Sequence, residues 1–148
     1  MTKSSRSFLF PDVNVWVALT YGAHEHHDVA REWFEALSME CRICFCRFTQ
    51  LSLLRLLTTE AAMGPDEVMT QIEAWRAYDQ WKTDGRVLFL EEPPEIEPTF
   101  RSLSRAPRPN SKNWADAYLA AFATVSGMQF VSFDRGFLGK VENLVILR

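Results

Sequence analysis

Long unbroken apolar runs are missing from this 148-residue chain. The nearest approach is FLFPDVNVWVALTYGA, residues 8–23, which Asp12 and Asn14 interrupt beside Pro11. A secretion signal needs a continuously apolar centre, and a membrane helix needs about 20 such residues. Neither is expected, despite the preceding MTKSSR, so the sequence predicts a cytoplasmic protein without a membrane partner. Repeats, low-complexity tracts and Gly/Ser linkers are absent too, which predicts one domain over residues 1–148. EEPPEIEP, residues 91–98, reads as a loop entering a helix and not as a domain boundary.

Cysteine is scarce and odd in number, with Cys41, Cys44 and Cys46 inside CRICFCRF. Without a signal, that argues against a disulfide framework. In a strand Cys44 and Cys46 share one face, as core cysteines would. Structural zinc usually takes two ligand pairs at compatible spacing. Cys41 and Cys44 could make one, but His24, His26 and His27 stand too close together for the other. The net charge of −3 excludes a general attraction to polyanions. One stretch runs against that balance: FRSLSRAPRPNSKNWA, residues 100–115, holds Arg101, Arg105, Arg108 and Lys112 and no acid. Such a strip can contact phosphates even on an acidic protein, and it can equally be a solvated helix end and loop.

The apolar segment reads as a buried first strand led by FLFPDV. HHDVAREWFEALS follows as a helix, with Val29, Ala30, Trp33, Phe34 and Leu37 on one face. RICFCRF is a second strand, and FTQLSLLRLLTTEAA is a helix with Leu51, Leu54 and Leu57 inward. Gly64-Pro65-Asp66 opens another helix, striped by Val68, Ile72, Trp75 and Tyr78 or Asp79. RVLFLE is a third strand, PEIEPTFRSLSR a helix, and NWADAYLAAFATVSG a helix with Ala115, Leu119 and Phe122 inward and Gly127 at its end. MQFVSFD and NLVILR complete the strands. Strands separated by helices imply an α/β fold, a mostly parallel sheet covered on both faces.

Ligands of such sheets bind beyond the carboxyl ends of strands. Asp12 lies at that end of the first strand and Asp134 at that end of a late one, while Asp116 occupies the first turn of the helix between. Carboxylates that converge repel one another and ask for a cation. Mg²⁺ or Mn²⁺ suits oxygen ligands and leaves water positions for chemistry. Plainer roles exist: Asn113 as an N-cap would make Asp116 a capping-box acid, and Asp134 before Gly136 could form a turn. Asp12 has no evident cap or turn to serve. Asn14 could ligate, orient a water or bond nearby backbone.

FPDVNVWVAL, FTQLSLLRLLT, NWADAYLAAFA and FVSFDRGF together resemble the PIN-domain proteins, and among them the VapC-type toxins of bacterial toxin–antitoxin pairs. The resemblance runs through nearly the whole chain in order. It implies a three-layer α/β/α sandwich with a central, mostly parallel sheet, and a Mg²⁺- or Mn²⁺-dependent endoribonuclease. It also implies an RNA substrate, a cognate VapB-type antitoxin that neutralises the enzyme, and a homodimer. By position, Asp12 and Asp116 match metal-binding acids, and Asp134 matches a final acid supporting metal or water. Asn14 matches a small polar residue beside the site, and Arg55 an arginine after the second acidic motif. Gln50 departs from the pattern, because many relatives carry Glu there. Arg105, Arg108 and Lys112 are the candidates for holding the RNA backbone.

Two other readings compete. A haloacid-dehalogenase phosphatase also places Asp after its first strand, but it wants a second Asp where Asn14 stands, and no suitable lysine motif follows. A catalytically weakened RNA- or protein-binding module of the same fold is the stronger rival, with Gln50 as its support.

Overall fold

The computed structural model describes residues 7–148, so the MTKSSR stretch lies outside the described residues. The elements run β1 (Phe8–Pro11), α1 (Val13–Thr20), α2 (His27–Glu35), β2 (Arg42–Phe45), α3 (Arg47–Leu57), α4 (Glu60–Met63) and α5 (Gln71–Lys82). They continue with β3 (Val87–Phe89), α6 (Ile96–Ser104), α7 (Asn113–Ser126), β4 (Gln129–Ser132), a 3-10 turn (Arg135–Phe137) and β5 (Leu144–Ile146).

The strands form one parallel sheet in the order β3-β2-β1-β4-β5. Their side chains alternate between faces, as the two-residue period of a strand demands. Leu9, Ile43, Phe45 and Val131 join a core with Trp16, Phe34, Leu53, Leu57 and Tyr78. Phe10, Cys44 and Phe130 join a second core with Leu119, Phe122 and Phe137. Two cores on opposite faces make the expected α/β/α sandwich. Phe10 stacks on Phe122 across one (centroids 4.9 Å) and Trp16 on Phe45 across the other (4.0 Å). Cys44 and Cys46 share the α7 face as free thiols, and burial pushes the Cys44 thiol up to about 12, so it stays protonated and inert.

Four local expectations are corrected. Residues 13–20 are helix, not strand: Val15 through Leu19 are all buried, and an apolar-all-round helix shows no amphipathic period to read. In α3 the buried residues are Thr49, Gln50, Leu53 and Leu57, whereas Leu51 is exposed and Leu54 half-buried. With Leu at 51, 53, 54, 56 and 57, more than one leucine stripe is available, and packing on β2 and α5 selects among them. That helix stops at Leu57, and Glu60–Met63 forms a separate turn. The next helix opens at Thr70, not at Gly64-Pro65-Asp66. Thr70 and Glu73 make a reciprocal capping box, and Gly64 takes a left-handed φ of 82° that ends the preceding turn. Its buried face is therefore Ala74 and Tyr78, leaving Ile72 and Trp75 exposed.

Beside β1 the connections switch direction: β2 and β3 lie to one side, β4 and β5 to the other. Crevices at such a switch, beyond the strand carboxyl ends, are where ligands bind in open parallel sheets. Asp12 follows β1 and Asp134 follows β4, its neighbour across this crevice. The corrected α3 face sets the first test. Leu53→Ala should lower stability by roughly 2–5 kcal/mol, and Leu51→Ala by less than about 0.5 kcal/mol, in denaturant titration. Equal losses would restore the leucine stripe read from sequence.

Candidate active site

Asp12 sits where β1 becomes α1, and it does serve a cap. Its backbone is extended (φ −62°, ψ 158°), and its Oδ1 accepts from the Val13 amide at 2.7 Å. The other oxygen, Oδ2, accepts from the Ser132 hydroxyl at 2.8 Å, across the switch point. Both hydrogen bonds favour the ionised form. Burial opposes them and dominates, with the Asp116 and Asp134 charges adding to it, so the Asp12 carboxyl is pushed up to about 6. A carboxylate that remains costly after two hydrogen bonds marks a site short of positive charge.

Ser132 was not singled out in the sequence, and it is the hub. Fully buried at the end of β4, its hydroxyl donates to Asp12 and accepts from the Asp134 amide (2.9 Å) and Asn14 Nδ2 (3.3 Å). The available signal was a hydroxyl amid the apolar run FVSF, two residues before an acid. Asn14 Oδ1 also accepts from the Phe133 amide (3.4 Å), so Asn14 fastens α1 to the loop after β4. The Asp134 carboxylate meets its turn role: Oδ1 accepts from the Gly136 amide at 2.7 Å. A Cβ at Gly136 would stand 2.9 Å from that oxygen, so a side chain there would push the carboxylate off the turn.

Asp116 is not a capping-box acid. Lys112 precedes the first helical residue, Asn113, which places Asp116 one residue beyond the capping-box position. Asn113 instead accepts from Lys140 Nζ (3.1 Å) and donates to the Leu103 carbonyl. Asp116 is close enough for its charge to raise the Asp12 pKa. Its position in the first turn of α7 favours negative charge through the helix dipole.

Gln50 lies one turn into α3, buried beside the same sheet edge. Its Oε1 accepts from Arg47 Nη1 at 2.6 Å. Arg47, also unforeseen, lies over the Phe89 ring at 4.7 Å. An arginine engaging the carboxamide oxygen occupies the donor that Gln50 could otherwise offer a cation. Arg55 is not brought to the acids. It is exposed and lines the groove between α3 and α5 with Leu51, Leu54 and Trp75. Arg105 and Arg108 line a separate groove between α6 and α7, and Lys112 stands at the head of α7.

The histidines and cysteines do not converge. His27 Nδ1 meets the Ala18 carbonyl at 2.7 Å, His26 stacks on Phe133 at 4.6 Å, and Cys44 faces the α7 core. Among the described residues no three His, Cys, Asp or Glu side chains reach metal-ligand spacing. The three aspartates thus share an edge and a field without forming a closed cage. Their donor set is nonetheless hard oxygen, and the raised Asp12 pKa is what a divalent cation would relieve.

An α/β/α sandwich with a parallel sheet and aspartates after the two strands that flank its switch point defines the class of protein. The chain belongs to the PIN domain family, whose model matches residues 9–142. It is 39% identical over 132 residues to Ribonuclease VapC41 of Mycobacterium tuberculosis, covering 87% of this chain and 90% of that protein. Ribonuclease VapC29 of the same organism is 26% identical over 127 residues, covering 84% of each. Among solved structures, Mycobacterium tuberculosis VapC20, described as a Sarcin-Ricin loop cleaving toxin, superposes with a TM-score of 0.67 at 15% identity, covering 95% of this chain and 99% of that one. VapBC2 from Rickettsia felis, bound to a DNA fragment from its promoter, gives 0.68 at 13% identity with the same coverage. The expected family and fold are both borne out. Among the described residues no helix is long and apolar enough to cross a membrane.

The Asp12 shift has a definite sign. The folded carboxyl holds its proton to about 6, whereas the unfolded one releases it near 3.8. Its contribution to metal-free stability therefore falls as pH rises through that window, by on the order of 3 kcal/mol, and is constant above it. Denaturation of chelator-treated protein between those pH values should show this decline, flattened in Asp12→Asn. Parallel curves for the two proteins would contradict the shift.

Proposed function

We propose that this chain is a VapC-type toxin, an endoribonuclease that hydrolyses RNA phosphodiester bonds using Mg²⁺ or Mn²⁺. It acts in the cytoplasm as one domain spanning residues 1–148, assembles as a homodimer, and is neutralised by a cognate VapB-type antitoxin. The observation that carries the reading is Asp12, buried after β1 at the switch point and hydrogen-bonded through both oxygens, with Asp134 after the neighbouring strand and Asp116 near enough for its charge to act on it. The 39% identity to a ribonuclease over most of both chains supports the substrate class. The VapBC structures among the fold neighbours support the antitoxin.

Asp12, Asp116 and Asp134 are the catalytic acids and the residues that would hold the cation. The cation would supply charge to activate water and to stabilise the leaving oxygen of the phosphodiester. Ser132 fixes the Asp12 carboxylate through Oδ2, and Asn14 and the Gly136 turn hold the loop that carries Asp134 beside it. Arg105, Arg108 and Lys112 offer phosphate contacts on the approach to Asp116. The expected products are a 5′-phosphate and a 3′-hydroxyl.

A second reading, a weakened module that binds without cutting, draws on Gln50, whose oxygen is engaged by Arg47. Purified protein incubated with a panel of structured RNAs and Mg²⁺, Mn²⁺ or chelator separates the two. Under the enzyme reading, cutting needs metal and falls at least about a hundredfold in Asp116→Asn. Binding without cutting, in folded wild-type protein with either metal, would favour the second reading. Equal cutting by wild type and Asp116→Asn would expose a contaminant.

A further inference from the structure

Trp114 stands 60% exposed on the first turn of α7, the largest side chain left uncovered beside the basic strip. It leans on Phe100 of α6 in an edge-to-face contact, with centroids 6.2 Å apart at 61°. Phe100 is in turn held edge-on by Tyr118 (5.8 Å, 89°). The indole is therefore braced from within the protein while much of its surface faces solvent. Between α6 and α7, Trp114 and Phe100 line an open groove of about 790 Å³.

The charge around the groove has one sign to spare. Arg101 is neutralised by Glu97 at 2.7 Å. Arg105 and Arg108, which also line the groove, have no carboxylate partner among the described residues. The only acid in the lining is the Glu97 already paired. A ring with exposed surface beside unpaired guanidinium groups is chemically suited to an unpaired nucleobase joined to phosphates. Stacking on the indole is indifferent to base identity, and the arginines attract the backbone. A duplex keeps its bases stacked on one another and offers none to the ring.

We propose that the Trp114–Phe100 groove is a stacking subsite for one unpaired base of the RNA, with Arg105 and Arg108 holding its flanking phosphates. The inference rests on the ribonuclease reading and adds to it a preference for single-stranded segments. Trp114 and Asp116 are two residues apart on a helix, so they project to different sides of it. A strand with a base on Trp114 reaches Asp116 by passing the amino end of α7, where Lys112 and the helix dipole favour phosphate. The subsite thereby selects which phosphodiester, a short distance along the chain from the stacked base, meets the acids. Trp114 is here a binding residue and takes no part in bond cleavage.

The test measures binding of a short fluorescein-labelled single-stranded RNA, and of the same sequence as a duplex. The full chain is used, with chelator present and RNA integrity checked on a gel. Trp114→Ala should weaken single-strand binding about tenfold, and Trp114→Phe much less, while neither changes the salt dependence. Arg105→Ala with Arg108→Ala should instead flatten the salt dependence and weaken both probes. Circular dichroism confirms folding of each variant. Trp114→Ala that binds and cuts single strands like the wild type overturns the subsite and leaves the nuclease standing. Equal losses for single strand and duplex would also overturn it, by removing the stacking component. Wild-type protein that binds no RNA overturns both readings. Wild-type protein that shows the stacking signature yet never cuts with metal sustains the subsite and sinks the nuclease.

Discussion

The short hydrogen bond from the Ser132 hydroxyl to Asp12 Oδ2 is the contact around which the rest of this edge is arranged. It joins the ends of two adjacent parallel strands whose connections run in opposite directions. It does so between a carboxylate and a hydroxyl that burial would otherwise leave unsatisfied. The same oxygen of Ser132 receives Asn14 and the Asp134 amide, so one buried atom sets the relation between α1, β4 and the turn after it. The acid is anchored at both oxygens and still carries the penalty of burial and of its acidic neighbours.

The cost of that arrangement is carried by the sandwich. Aromatic stacks on both faces of the sheet, Phe10 on Phe122 and Trp16 on Phe45, flank the very strand that delivers Asp12. α1 is buried along nearly its whole length, so its capped end has little freedom to move away from the crevice. Asp134 is held more locally, by the turn in which its carboxylate accepts from the Gly136 amide. Asp116 is the least constrained of the three acids, placed by a helix whose first turn also carries Trp114. The α6–α7 groove and Asp116 thus share the amino end of α7.

Gln50 is a buried polar side chain whose oxygen the protein itself engages. Arg47 bonds the carboxamide oxygen and rests on Phe89. A glutamate at that position would pair with the same arginine as a charge-assisted bond. The difference between the two side chains therefore acts on Arg47 as much as on the crevice. The α6–α7 groove lies on the other side of this edge, with its own unpaired arginines.

Much of this was legible from the chain itself. The alternation of strands with helices, the acids placed after FLF and FVSF, and the shared face of Cys44 and Cys46 follow from local periodicity and position, and each reappears in the fold. Local pattern failed where it was degenerate or silent. An all-apolar α1 resembles a buried strand, a leucine-crowded α3 offers more than one stripe, and the Thr70–Glu73 capping box outcompeted the Gly-Pro-Asp start. Ser132 and Arg47 were out of reach, because their importance lies in partners brought close only by folding: Ser132 bonds an acid 120 positions away. The sequence by itself determined which acids exist and which strand ends carry them. Only the tertiary structure decided that burial, a cross-strand hydroxyl and neighbouring charge act together on Asp12, because desolvation and field belong to the packed state and have no counterpart in the extended chain.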